Sequence, residues 1–300
     1  MKLKTLIIAL VLIPMLNYAV GNKREEFIRP AKETVEEAKT ANKLILVISK
    51  SHAGTATDIL ENKHTSRFLD EHFIIEQQVN PDTQDLYLIY NAQQELVHRV
   101  ANDSYPYELA VKIKRALNPD TRYYTLLARF DHGERSVALL EKLITGVSDA
   151  GDIGNAPRVM QAYLDTQTSS MTPPTIRLLV KHTHTSNDPG FAILMSDMDA
   201  ADDVLGAGKT AAKLAVIIFD EAFAPYLSEK KVDLEALTEK VKSTYAREEL
   251  AYLIDGMAIQ FMEMREDWES LRSALPIYLG THGNQLSEAT REYYSWLAKS

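Results

Sequence analysis

Cysteine is absent from the 300-residue chain. That absence excludes structural disulfides, thiolate nucleophiles and thiol–disulfide exchange in any compartment. A basic surplus is also missing: 33 Lys and Arg stand against 42 Asp and Glu, a formal net charge of −9, with no Lys/Arg block interleaved with aromatics. Nucleic acid is therefore excluded as the default partner, because phosphate binding needs a basic face. No apolar run reaches the roughly 20 residues of a membrane-spanning helix. What remains is ordinary for a soluble globular protein, at 45% hydrophobic and 25% charged residues. The length suggests about two domains at roughly 150 residues each.

The amino terminus reads as a secretory leader. "MKLK" supplies a basic start, "TLIIALVLIPML" an apolar stretch, and "NYAVG" a small-residue cleavage site with Ala19 and Gly21 at the small positions. Cleavage is expected after Gly21, an uncleaved anchor being the alternative, and no cysteine is there to carry a lipid. Loss of Lys2 and Lys4 with the leader takes the net charge from −9 to −11. The expectation is an exported, soluble, acidic protein, periplasmic or extracellular, with no integral membrane segment once residues 1–21 are removed.

Residues 22–117 pattern as an α/β domain. A helix carrying Phe27, Ala31, Val35 and Ala38 leads into the strand "KLILVIS", and a second helical stretch spans "GTATDILENKHTSRFLDEH". Strands follow at "FIIEQQV", "LYLIYN" and "ELVHRVA", joined by the turns "NPDTQD" and "AQQ". In "YPYELAVKIKRAL", Leu109, Ile113 and Leu117 at i, i+4, i+8 predict a helix lying on the sheet. The order suits a small central sheet with helices on both faces. Between "FIIEQQV" and "LYLIY" the connection is too short for a parallel crossover, which predicts a hairpin or a severely trimmed loop.

From Asn118 to Ser300 no strand pattern recurs. Helical segments are separated at "DHG", "DAGDIGNAP", "TSSMTPP", "TSNDPG", "FAPY" and "GTHGN". The stripes Leu140, Leu143, Ile144, Val147 and Leu250, Leu253, Ile254, Met257, Phe261 are the clearest. Helices of this length with short breaks predict stacked helical hairpins of a TPR-like kind, with a compact bundle as the alternative.

The phrases "AKTANKLILVIS", "SRFLDEHFII", "NAQQELVHRV" and "YPYELAVKIKRAL" together resemble exported bacterial thioredoxin-like proteins that carry a long helical extension, and "LLARFDHGERSVALLEKLI" resembles the start of that extension. The resemblance implies a thioredoxin-like domain over 22–117, redox-inactive, followed by an α-helical domain over 118–300. Laid on the family's Trp-Cys-Gly-Pro-Cys loop, His52 stands at the tryptophan, Ala53 and Ala56 at the two cysteines, and Gly54 at the glycine. Gln84 and Asp85 stand where the family has a cis-proline, so an ordinary trans bond is expected there. The resemblance further implies a groove for extended polypeptide beside that loop. Candidate binding residues are accordingly His52, Ala53, Gly54, Thr55, Ala56 and Asp85.

Four other motifs have structural readings beside their functional ones. His182 and His184 in "KHTHTSND" would need Asp188 or a remote ligand to hold a metal, and an H-x-H pair on a helix points about 200° apart. "LGAGKTAAK" imitates the end of a phosphate-binding loop, but Asp203 stands at its first glycine position and no strand precedes it. "SDMDAADD" lacks the glycine and glutamate of a calcium loop. Trp268, Tyr278, Tyr293, Tyr294 and Trp296 suit either a peptide groove or helix packing. The reading is a non-catalytic protein that binds a protein or peptide partner, with no cofactor, no metal and no nucleotide. The alternatives are a metal-dependent or hydrolytic enzyme with its site in the helical domain, and a purely structural envelope component.

Overall fold

The computed structural model describes residues 28–50, 59–79, 85–102 and 105–299, so the expected leader lies outside the described residues. The chain divides into two compact units, one comprising the described residues of Ala19–Thr168 and the other those of Ser169–Ser300.

The first unit opens with α1 (Lys32–Ala41), which buries Val35 and Ala38. Asn42 ends it in the left-handed conformation at φ 50°. The Asn42 and Lys43 amides turn back to the Lys39 and Ala38 carbonyls at 3.4 and 3.0 Å. This double closure of the helix end lets the chain enter β1 (Leu44–Lys50) one residue later. The remaining strands are β2 (Phe73–Val79), β3 (Leu86–Tyr90) and β4 (Leu96–Ala101). Their order across the sheet is β2-β1-β3-β4, with β1 parallel to β2 and antiparallel to β3, and β3 antiparallel to β4.

The two faces of the sheet are covered by different helices. Ile45, Val47, Leu88 and Tyr90 pack with Val35 and Ala38 of α1. Leu46, Ile48, Phe73, Tyr87, Ile89 and Val100 point the other way. They meet Leu69 of α2 (Lys63–His72) and Leu109 and Ile113 of α3 (Pro106–Lys114). A strand buried on both faces needs an unbroken apolar run, which is how β1 reads in the sequence.

Two local expectations are corrected. The helical stretch read from Gly54 does not run unbroken to His72, because the described residues Ile59–Asn62 form a turn. The Asn62 side chain accepts the His64 and Thr65 amides at 3.1 and 3.3 Å, capping a helix that starts at Lys63. The β2–β3 connection is no hairpin, since β1 lies between the two strands. Val79 stands beside Lys50, and Leu86 beside Ser49. The ends of β2 and β3 are thus two strand spacings apart, about 10 Å. The β3–β4 turn is set by Asn91, whose Oδ1 accepts the Gln93 and Glu95 amides at 3.0 and 2.9 Å.

The change of sequence character at Asn118 does not coincide with the division between the units. Helices α4 (Tyr123–Asp131), α5 (Val137–Ala150) and α6 (Ala156–Leu164) belong to the unit that holds the sheet. The Tyr123 amide donates to Nδ1 of the buried His98 on β4 at 2.9 Å. Gly151, at φ 63° behind α5, passes so close to Ala101 that a Cβ there would stand 3.0 Å from the alanine methyl. The buried Asp149 of α5 pairs with Arg115 beyond α3, and lies 3.8 Å from Lys112.

The second unit is built of α7 (Pro173–His182), α8 (Pro189–Ser196), α9 (Met198–Leu205), α10 (Lys209–Ala222), α11 (Leu234–Thr244), α12 (Glu248–Met264), α13 (Trp268–His282) and α14 (Glu288–Leu297). From α11 onward each helix packs on the next. Asp233, Asp267 and Ser287 cap the last helices by accepting the Ala236, Ser270 and Thr290 amides. The stripe read in the sequence places Leu250, Ile254, Met257 and Phe261 in the interior, with Leu253 half-buried. Among the described residues no helix is long and apolar enough to cross a membrane.

Removing the Asp149 carboxylate leaves the Arg115 guanidinium partly desolvated with no counter-charge. Asp149→Ala is expected to destabilise the first unit by about 2–3 kcal/mol, less than for a wholly buried pair because Arg115 keeps contact with water. Urea unfolding reads this as a lower midpoint at constant slope. An unchanged midpoint would show that the pair holds nothing.

Candidate functional site

The strand register gathers one set of chain ends. Lys50, Val79 and Ala101 close β1, β2 and β4 at the end of the sheet where Leu86 opens β3. The connections after β1, after β2 and after β4 therefore emerge together, and the carboxyl ends of parallel strands are where open α/β sheets place ligands. Of the candidates, His52, Ala53, Gly54, Thr55 and Ala56 lie outside the described residues, as does the backbone at Gln84. Asp85 is described and half-buried. Its carbonyl accepts the Asn102 amide at 3.2 Å, and its Oδ2 accepts the Asn102 side-chain amide at 3.4 Å. Asp85 thus ties the end of the β2–β3 loop to the start of the β4–α3 connection.

That connection carries two tyrosines the sequence reading did not single out. Pro106 in the first turn of α3 holds Tyr105 extended at φ −62° and ψ 153°. Tyr105 is 80% exposed and Tyr107 76%, and Val79 at the same sheet end is 60% exposed. Tyr107 falls off the Leu109, Ile113, Leu117 stripe, while Tyr105 continues its spacing but precedes the helix, which begins at Pro106.

The histidine pair resolves into a structural loop. His182 and Thr183 are buried at the end of α7. Asp188, the candidate third ligand, is buried and uses Oδ2 to accept the His184 and Thr185 amides at 2.7 and 2.8 Å. Burial lowers the Lys213 ammonium on α10 from the usual lysine range, against the opposing pull of Asp188 and Asp220. Among the described residues no group of three or more His, Asp or Glu side chains is placed to hold a metal ion.

The phosphate-loop imitation is explained by a carboxylate. Asp202 accepts the Gly208 amide, and its Oδ1 accepts the Thr210 amide at 2.8 Å. These are donors at the amino end of α10 that an anion would otherwise draw upon. Gly206 and Gly208, at φ 102° and 75°, turn the chain back so that α9's own acid reaches them. In the same acidic run Asp197 caps α9 through the Ala200 amide at 3.0 Å.

The carboxy-terminal aromatics split between the two readings. Tyr278 and Tyr294 meet edge to face at 6.1 Å inside a cluster with Leu271, Leu275 and Leu297. Trp296 is 63% exposed and stacks on Tyr293 at 6.3 Å, whose hydroxyl donates to Glu263 at 2.5 Å. An open groove of about 590 Å³ also lies between the start of β4 and α4, lined by Leu96, Val97, Tyr124, Thr125, Ala128 and Arg129. Arg129 is held there by both oxygens of Glu134, at 2.9 and 2.7 Å. Its lining comes from elements that no local motif links, so periodicity gave no sign of it.

Asp202→Ala removes the acceptor for two amides at the head of α10. A loss of about 1–2 kcal/mol is expected for the second unit in urea unfolding, with no melting shift from added Mg–ATP in either form. A neutral substitution would show that the carboxylate does not organise the turn. Compared with known proteins, the chain matches no family model, no curated protein and no solved structure.

Proposed function

We propose that the first unit is a thioredoxin-like domain which has lost thiol chemistry and docks an extended segment of a partner protein, in an exported protein whose second unit is a stack of helical hairpins of TPR-like kind. The mixed four-stranded sheet with helices on both faces is compatible with such a domain. With no cysteine anywhere in the chain, such a domain has no turnover to perform. The observation that carries the reading is the exposure of Tyr105 and Tyr107, which follow β4 at the sheet end where β1 closes at Lys50 and Asp85 precedes β3. Tyrosine presents a large rigid apolar face with one polar tip and is enriched among the residues that dominate binding energy. Docking would draw on His52, Ala53, Gly54, Thr55, Ala56 and Asp85 together with these two rings.

The test uses a single installed thiol. Ala53→Cys places one sulfur in the 52–56 loop, and Arg291→Cys on α14 is the control. Each is mixed with extended peptides bearing one activated cysteine, and the rate of mixed-disulfide formation is measured against a small aromatic disulfide. Peptide-selective trapping is expected for Ala53→Cys alone, reduced about 5- to 30-fold when Tyr105→Ala and Tyr107→Ala are added, the equivalent of about 1–2 kcal/mol. Equal selectivity at Ala53→Cys and Arg291→Cys would end the docking reading.

A further inference from the structure

The buried histidine of β4 is committed at both ring nitrogens. His98 has no exposed surface. Its Nδ1 accepts the Tyr123 amide at 2.9 Å, and a backbone amide can only donate, so the proton of the neutral ring sits on Nε2. Nε2–H then donates to the Lys112 carbonyl at 3.2 Å. One ring therefore joins the middle of β4, the last turn of α3 and the first residue of α4.

We propose that His98 is an acid-released clamp: the neutral ring holds α4 against the sheet, and proton uptake lets the head of α4 come away from β4. An imidazolium has two donors and no acceptor, so protonation sets Nδ1–H against the Tyr123 N–H with nothing between them. The charged groups around the ring offer it no counter-ion. Arg115 lies beyond α3 and Arg122 precedes α4, and both oppose a positive ring. Lys112 presents its carbonyl, while its ammonium and the Arg115 guanidinium turn to Asp149 of α5. Tyr123 is tied by its hydroxyl to Asp152 at 2.5 Å, and burial with that carboxylate raises the phenol above its usual range, so it takes no part in the titration. Ile89, which faces His98 across the ladder, carries no charge.

Burial pushes the ring down to about 4 from 6.5; the Lys112 carbonyl works against this, and Arg115 and Arg122 add to it. The sign follows from linkage. Between those two values the opened state binds a proton that the docked state refuses, so docking is fully favoured above about 6.5 and weakens as pH falls towards 4. One proton is involved, so the loss is at most about tenfold per pH unit.

Amide exchange on the intact chain, corrected for intrinsic rates, tests the proposal. The opening constant of the Tyr123 amide and of α4 is expected to rise roughly 50-fold from pH 7 to pH 4.5. Over the same range α1 and the helices of the second unit stay protected. His98→Gln, which keeps a donor and an acceptor without a titrating group, is expected to show a flat profile. Should that variant fail to fold, nitrogen shifts of the wild-type imidazole decide: the Nε2–H form must persist until α4 opens. A ring that protonates near 6.5 with α4 still docked would overturn the clamp. So would an opening constant that does not change with pH, or α1 opening in step with α4.

Discussion

Ile45, Leu46, Val47 and Ile48 are shut away from water on both sides of one strand, and the first unit is arranged to keep them so. Burying such side chains yields about 1.5–3 kcal/mol each, above the roughly 0.5–1.5 kcal/mol net of an ordinary hydrogen bond. Because successive residues of a strand point to opposite faces, a run of four demands two covers rather than one. Placing α1 on one face and α2 with α3 on the other answers that demand. It also forces β1 into the centre of the sheet, where β2 and β3 flank it. The meeting of strand ends that forms the candidate site is a by-product of this packing.

Much of that was legible in the chain. Apolar "KLILVIS" predicted a strand, and the i, i+4, i+8 spacing of Leu109, Ile113 and Leu117 predicted a helix on the sheet; β1 lies there, and α3 packs Leu109 and Ile113 on it, ending before Leu117. What failed to show was pairing between distant segments. A short polar turn is the sequence sign of a hairpin, and the six residues between Val79 and Leu86 carry that sign although β1 separates their strands. Local propensity fixes a turn's composition but not which strands it joins. The start of α2 was obscured because helix-forming residues precede Asn62, whose side chain competes for the very amides that would continue the helix backwards.

The candidate site was legible in part, and for a reason of the same kind. Asp85 was named because the resemblance puts a cis-proline there. Tyr107 lies off the packing stripe, and Tyr105 precedes the helix that carries it. The phosphate-loop imitation was set aside from the sequence, but not the reason for its turn: glycine, lysine and threonine in that spacing describe a backbone turn able to receive an anion, and the sequence does not say that Asp202 of the chain itself supplies it. The helical character that begins near Asn118 marks a change in local structure, whereas the limit of the first unit is set by His98, Ala101 and Asp149 reaching α4 and α5.

The sheet's two edges are not equivalent. By the alternation of β4, His98 shares the face of Val100 and Ala101 the opposite one, so the head of α4 and the end of α5 meet that strand from both sides. At the other edge, β2 has no further strand beyond it among the described residues, and its last residues are Glu76, Gln77, Gln78 and Val79. An unpaired strand is a template for a neighbouring chain, and charge on it is the usual guard. Among the described residues β4 is likewise an outer strand, but helices cover both of its faces, whereas the end of β2 carries one carboxylate, Glu76. It also accepts the Ala31 amide at 3.0 Å, so losing it would loosen the entry to α1 and unguard the edge in the same stroke.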